Sequence, residues 1–134
     1  MAENENTTIL TAAKAEISRL AASAYSEDGV SLYDHIRVTS RDESTLNAFI
    51  VNGEAELLAR LKGRRISDFE DAISTTEVGT LKNEYLQNYV CAEWFRRKYV
   101  AKYEEYAAKA KAALENLVIL VKTRKEPTKG GINL

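Results

Sequence analysis

The chain has 134 residues, of which 45% are hydrophobic and 29% charged, and its formal net charge is −1. Such a composition fits a single globular domain with its own core, and a charge near zero gives no general attraction to nucleic acid or anionic lipid. Cys91 is the one cysteine, which excludes an intrachain disulfide, and no apolar run reaches the length a membrane-spanning helix needs. The acidic start Met1-Ala2-Glu3-Asn4-Glu5-Asn6 lacks the basic residues that open a secretory signal, so a reducing, cytoplasmic setting is expected. Charge is uneven along the chain. Residues 1–63 carry 6 Lys/Arg against 10 Asp/Glu, and residues 64–134 carry 13 against 10. This could help the halves pack or copies associate head to tail, or it is drift in surface composition.

The first helix is predicted over residues 8–25, because Ile9, Ala13, Ile17, Leu20 and Ala24 recur at steps of three and four. Ser26-Glu27-Asp28-Gly29 ends it with turn residues. Residues 30–39 fit either one helical turn or a short extended piece. A second helix follows Ser40-Arg41-Asp42-Glu43, which reads as a capping box with Glu43 reaching back to Ser40. Leu46, Phe49, Ile50, Gly53, Leu57 and Leu61 line one face of that helix. Gly53 on that face allows another helix to approach closely, and Gly63 stands where a C-terminal cap glycine belongs.

Residues 64–79 are the least regular stretch, anchored by Ile66, Phe69 and Ile73. They read as a loop, with a short helix from Ser67 or a short hairpin as alternatives. Residues 80–125 contain neither Gly nor Pro, and their apolar series from Leu81 to Val121 keeps a helical rhythm throughout. A straight helix of that length would span roughly 67 Å, long for a compact domain. The segment therefore reads as one kinked helix or as two helices with a tight break between 97 and 103. Pro127 is expected to end the helix. The whole is a mainly α, compact bundle of four to five helices in one domain, 1–134, with 1–7 and 127–134 as flexible tails.

Little in the sequence points to catalysis. His35 and Cys91 are the single members of their types and lie in different segments, so no metal cluster, Cys–His pair or Ser–His arrangement at recognisable spacing is evident. No glycine-rich phosphate loop is present. Adjacent acids such as Glu104-Glu105 point apart on a helix and read as solvated surface. No enzymatic activity and no cofactor is expected. Arg96-Arg97-Lys98 between Trp94-Phe95 and Tyr99 mixes basic and aromatic residues as a nucleic-acid stacking platform does. An ordinary helix with Phe95 and Tyr99 inward and the arginines outward gives the same pattern. Five of the seven tyrosines fall between Tyr85 and Tyr106, more than one narrow face can hold. Tyrosine suits interfaces, and Tyr99, Tyr103 and Tyr106 with Arg96, Arg97 and Lys98 form the candidate contact surface. A Tyr-rich core margin is the alternative.

The order of elements resembles that of small phage head–tail connectors, the head-completion or neck adaptors. These have an N-terminal helix, then a helix like residues 46–58, an irregular stretch, a helix like residues 86–95, and a last helix like residues 103–120. The likeness covers roughly residues 8–125 and is one of pattern and size. The longer acidic N-terminus and the lack of an evident turn between the last two helices depart from it. The resemblance implies a structural protein that assembles as a ring under the portal and contacts portal and tail or neck proteins. DNA would pass through its channel without sequence recognition, and no membrane is involved. The protein would sit in the host cytoplasm during assembly and then in the virion. Neighbour contacts would fall on residues 64–79 and on the tail, including Ile132 and Leu134. A cytoplasmic helical adaptor with one protein partner, and a nucleic-acid-binding module, are the competing expectations.

Overall fold

The computed structural model describes the backbone of residues 2–62 and 75–132, and the side chains of residues 7–62 and 77–121. The helices are α1 (Ala2–Ala22), α2 (Tyr33–Ile36), α3 (Glu43–Arg60), α4 (Thr75–Lys98) and α5 (Val100–Ile132), with a 3-10 turn at Ser40–Asp42 before α3. The protein is thus a helical bundle. None of the described helices is long and apolar enough to cross a membrane.

The period-3.6 faces read from the sequence are the faces that are buried. Ile9, Ala13, Ile17, Leu20 and Ala24 of the first segment are all in the core, as are Leu46, Ile50, Leu57 and Leu61 of the α3 segment. Buried side chains from α1, α2, α3, α4 and α5 belong to one cluster. α1 starts at Ala2, six residues before the predicted Thr8. Acidic residues such as Glu3 and Glu5 suit a helix N-terminus.

After α1 the chain makes a small closed turn. The Ser26 N–H donates to the Val30 carbonyl at 2.8 Å and the Leu32 N–H to the Ala24 carbonyl at 2.9 Å, with Tyr25 and Ser31 bridged. Gly29 takes φ +80° there, a left-handed conformation that glycine adopts without steric cost. Both readings of residues 30–39 are therefore partly right: an extended bridge at Ser31, then the single turn α2.

The cap before α3 lies one residue earlier than predicted. Thr39 is still extended while Ser40 already belongs to the 3-10 turn, so Thr39 takes the capping role. Its N–H donates to the Asp42 carboxylate at 2.8 Å and its hydroxyl to the same oxygen at 3.0 Å. Glu43 does not reach back; it pairs with Lys14 of α1 at 2.7 Å. At the other end of α3, Lys62 takes the left-handed φ of +58°, and Gly63 lies outside the described residues.

Of the irregular stretch, residues 64–74, including Ile66, Phe69 and Ile73, lie outside the described residues. Residues 75–79, read as loop or strand, are instead the first turns of α4, with Val78 buried. The long segment that follows is two helices. Tyr99 alone separates them, and α4 and α5 pack on each other more extensively than any other pair. The rings of Phe95 and Tyr106 stand 5.3 Å apart, whereas 11 residues along a straight helix would separate them by roughly 16 Å. The chain therefore folds back at Tyr99. Helical backbone continues past Pro127 to Ile132, where the sequence predicted a stop. Proline's fixed φ is itself helical, and its cost is one missing N–H and local crowding.

α4 is the central helix, packing against α1, α3 and α5. α3 runs antiparallel to it: Gly53 lies against Leu86 and Tyr89, Glu54 is 3.9 Å from Lys82, and Phe49, earlier in α3, shares a groove with Trp94 and Arg97. At Gly53 the two approach closely. A Cβ there would stand 2.9 Å from Leu86 Cδ2 and 3.0 Å from Tyr89 Cδ1, which is the close approach its position predicted. The Tyr85 hydroxyl donates to the Gly53 carbonyl at 2.7 Å.

Candidate interaction surface

The tyrosines read as one candidate set divide between core and surface. Tyr106 is internal, 2% exposed. Its ring packs on Phe95 and its hydroxyl donates to the Glu16 carboxylate of α1. Buried there, it offers almost no surface of its own to a partner. Tyr99 and Tyr103 are half-buried at the margin of the core and keep part of their rings at the surface. Of the two tail candidates, Ile132 is the last residue of α5 with its side chain outside the described residues, and Leu134 lies outside them altogether.

Arg96 and Arg97 are exposed and Lys98 is half-buried. They do not combine with the neighbouring aromatics into a stacking platform. Trp94 and Phe95 are buried, and the Trp94 indole N–H donates to the Ile36 carbonyl at 2.6 Å, tying α4 to α2. Lys98 lays its ammonium 4.7 Å over the Trp94 ring, and Arg96 is held by Glu93 at 3.6 Å. The arrangement matches the ordinary helix, aromatic inward and basic outward. These basic side chains line a shallow depression of about 370 Å³ with Thr45 and Phe49 of α3.

A larger opening was not foreseen from the sequence. α3 and α5 both pack on α4 and have little contact with each other. Between them lies an open groove of about 510 Å³. Its floor is Tyr85, Tyr89 and Ala92 of α4. One wall is Glu56 and Arg60 of α3, and the other is Tyr103, Ala107, Ala110, Lys111 and Leu114 of α5. Apolar small residues and tyrosines at the base, with charges of both signs at the rim, are the usual make-up of a protein-binding surface. Burial pushes the Tyr85 and Tyr89 phenols above their ordinary range, so both stay neutral donors at the groove floor. The i, i+4 pairs Glu56/Arg60 and Tyr85/Tyr89 were visible in the sequence. That they share one groove was not, because they belong to different helices.

The remaining candidates for chemistry lie apart. Cys91 is fully buried, and burial, with the Glu16 carboxylate as a lesser cause, pushes its thiol up to about 12. His35 is exposed on α2. Among the described residues no group of three or more His, Cys, Asp or Glu could hold a metal ion. No protein family, curated protein or solved structure is found to match this chain.

Glu16 links α1 to α5. Its carboxylate accepts from the Arg19 guanidinium at 2.8 Å and from Tyr106. Chiefly the Arg19 hydrogen bond, then that from Tyr106, hold it below its ordinary value against the opposing effect of burial. A depressed folded-state value means its stabilisation is complete above the unfolded value and is lost as pH falls through the folded one. For Tyr106 burial and the Glu16 contact raise the phenol, so that contribution is present below the ordinary tyrosine range and is lost as pH rises beyond it. The expected result is that Glu16→Gln flattens the acid limb of a stability–pH curve measured by urea unfolding. An unchanged limb would remove Glu16 from this role.

Proposed function

We propose that this chain is a structural connector of a phage or prophage particle that works through protein–protein contacts with copies of itself and with neighbouring portal or neck proteins. The observation that carries the reading is the open groove between α3 and α5, tyrosine-floored and charge-rimmed, on a bundle whose described buried residues include no polar or charged side chain. Among the described residues the charged side chains all stay at or near the surface, which suits a role in assembly. The reversal at Tyr99 supports the reading too, since it supplies the turn between the last two helices that the connector pattern has and the sequence did not display.

Arg96 and Arg97 are exposed just before that reversal and would face DNA or an acidic neighbour. The burial of Trp94 and Phe95 leaves only Tyr99, half-buried, to serve a nucleic-acid-binding module as a stacking residue. Mass spectrometry of purified particles after prophage induction of the source culture tests the proposal. Peptides of this chain at a fixed ratio to the major capsid protein are the expected result. Well-formed particles that lack the chain would overturn it and leave a free-standing helical adaptor using the same groove.

A further inference from the structure

α3 is apolar on both sides. Its inward face is spent on the core through Leu46, Ile50, Gly53 and Leu57. On its outward face Ala48, Val51, Ala55 and Leu58 are all exposed, Val51 at 59% and Leu58 at 40%. Their spacing of three, four and three residues is that of a helix–helix seam. No charged side chain stands among them, and the residues beside the seam include Asn47 and Asn52. Glu56 and Arg60 turn to the groove instead, and Glu54 toward Lys82. In a chain that is 29% charged, a charge-free outer face is the composition of an interface centre.

We infer that this face pairs with the same face of a second copy of the chain, the two α3 helices running antiparallel. The seam is self-complementary in that direction only. Ala48 and Leu58 lie equally far from position 53, as do Val51 and Ala55. An antiparallel pair therefore sets Ala48 against Leu58 and Val51 against Ala55, small against large at every layer. A parallel pair would set alanine on alanine and leucine on leucine, leaving gaps and clashes. The helix dipoles also oppose in this direction. The contact is isologous, so it closes as a pair and does not by itself build a ring. It does not rest on the connector reading, and a soluble adaptor would use it equally.

One helix seam covers less than the ~800 Å² per partner of a standard stable interface, so the pair forms in a concentration-dependent way. Sedimentation equilibrium of the full chain from micromolar to millimolar concentration should show the mass rising toward twice the 15.0 kDa of one chain. A Val51→Glu, Leu58→Glu double variant should stay at one chain's mass with unchanged circular dichroism. Orientation is read by a short bismaleimide cross-linker on Asn52→Cys and, separately, Thr45→Cys, Cys91 being fully buried. In the antiparallel pair the two 52 positions lie about 3 Å apart along the helix axis and the two 45 positions about 24 Å apart. Cross-linking at 52 and not at 45 is expected. A wild-type chain that remains single at millimolar concentration, a double variant that still pairs, or cross-linking at 45 would each overturn the inference.

Discussion

Gly53→Leu is expected to destabilise the protein by roughly 2–6 kcal/mol, from overpacking of ~1–3 kcal/mol and the loss of a buried hydrogen bond partner costing ~1–3 kcal/mol. The cause is local and specific. Leu86, fully buried, and the Tyr89 ring already meet the space a Cβ would need, and any larger side chain must push α3 away from α4. That movement takes the Gly53 carbonyl from the Tyr85 hydroxyl, now 2.7 Å away. Gly53→Ala should cost less, because alanine's helix propensity returns about 1 kcal/mol. Gly79→Ala is the contrast. Gly79 is also helical, but nothing stands within 4 Å of the Cβ it would gain, so the same exchange should stabilise by about 0.5–1 kcal/mol. Urea unfolding followed by circular dichroism measures all three. A Gly53→Leu protein as stable as the parent would mean that α3 and α4 do not meet there.

Phe95→Ala is expected to cost about 3–5 kcal/mol, the usual range for truncating a buried phenylalanine and a large part of the 5–15 kcal/mol typical of a domain's total stability. Phe95 is fully buried at the closed end of the α4–α5 hairpin. Its ring is met by the edges of Tyr99 at 6.2 Å and Tyr106 at 5.3 Å, so its removal empties the space that holds the reversal together. Tyr103→Ala, at the half-buried edge of the groove, should cost clearly less, because water already reaches part of that ring. Thermal and urea unfolding of the two variants give the comparison. Equal losses would mean that Tyr103, too, is a core residue and does not form an open groove wall.

These two sites differ in how far the sequence announced them. Gly53 stood in a row of apolar residues at helical spacing, where a missing side chain has meaning only if another helix comes close. The reversal near Phe95 gave no such sign. The Tyr99 N–H still donates to the Phe95 carbonyl at 2.8 Å, and the Lys102 N–H donates to the Tyr99 carbonyl at 2.9 Å. Hydrogen bonding thus passes through the joint almost as in a helix, and neither Gly nor Pro is required.

The tyrosines show the same division. Tyr85, Tyr99, Tyr103 and Tyr106 fall in one apolar rhythm, and the sequence could say that they face something. It could not say that α1 would bring Glu16 to Tyr106, or that α3 and α5 would stand on either side of α4 and leave Tyr85 and Tyr89 at the base of a groove. Likewise Glu43 sat at the spacing of a cap and found Lys14 of α1 instead. By itself the sequence determined that the chain is mainly helical, the faces that the first helix and α3 bury and the close approach at Gly53, because these follow from a period of 3.6 residues and from side-chain type. The tertiary structure alone decided which helix each face meets, where the long segment turns back, and which tyrosines remain accessible, because periodicity specifies that a face is covered and carries no information about what covers it.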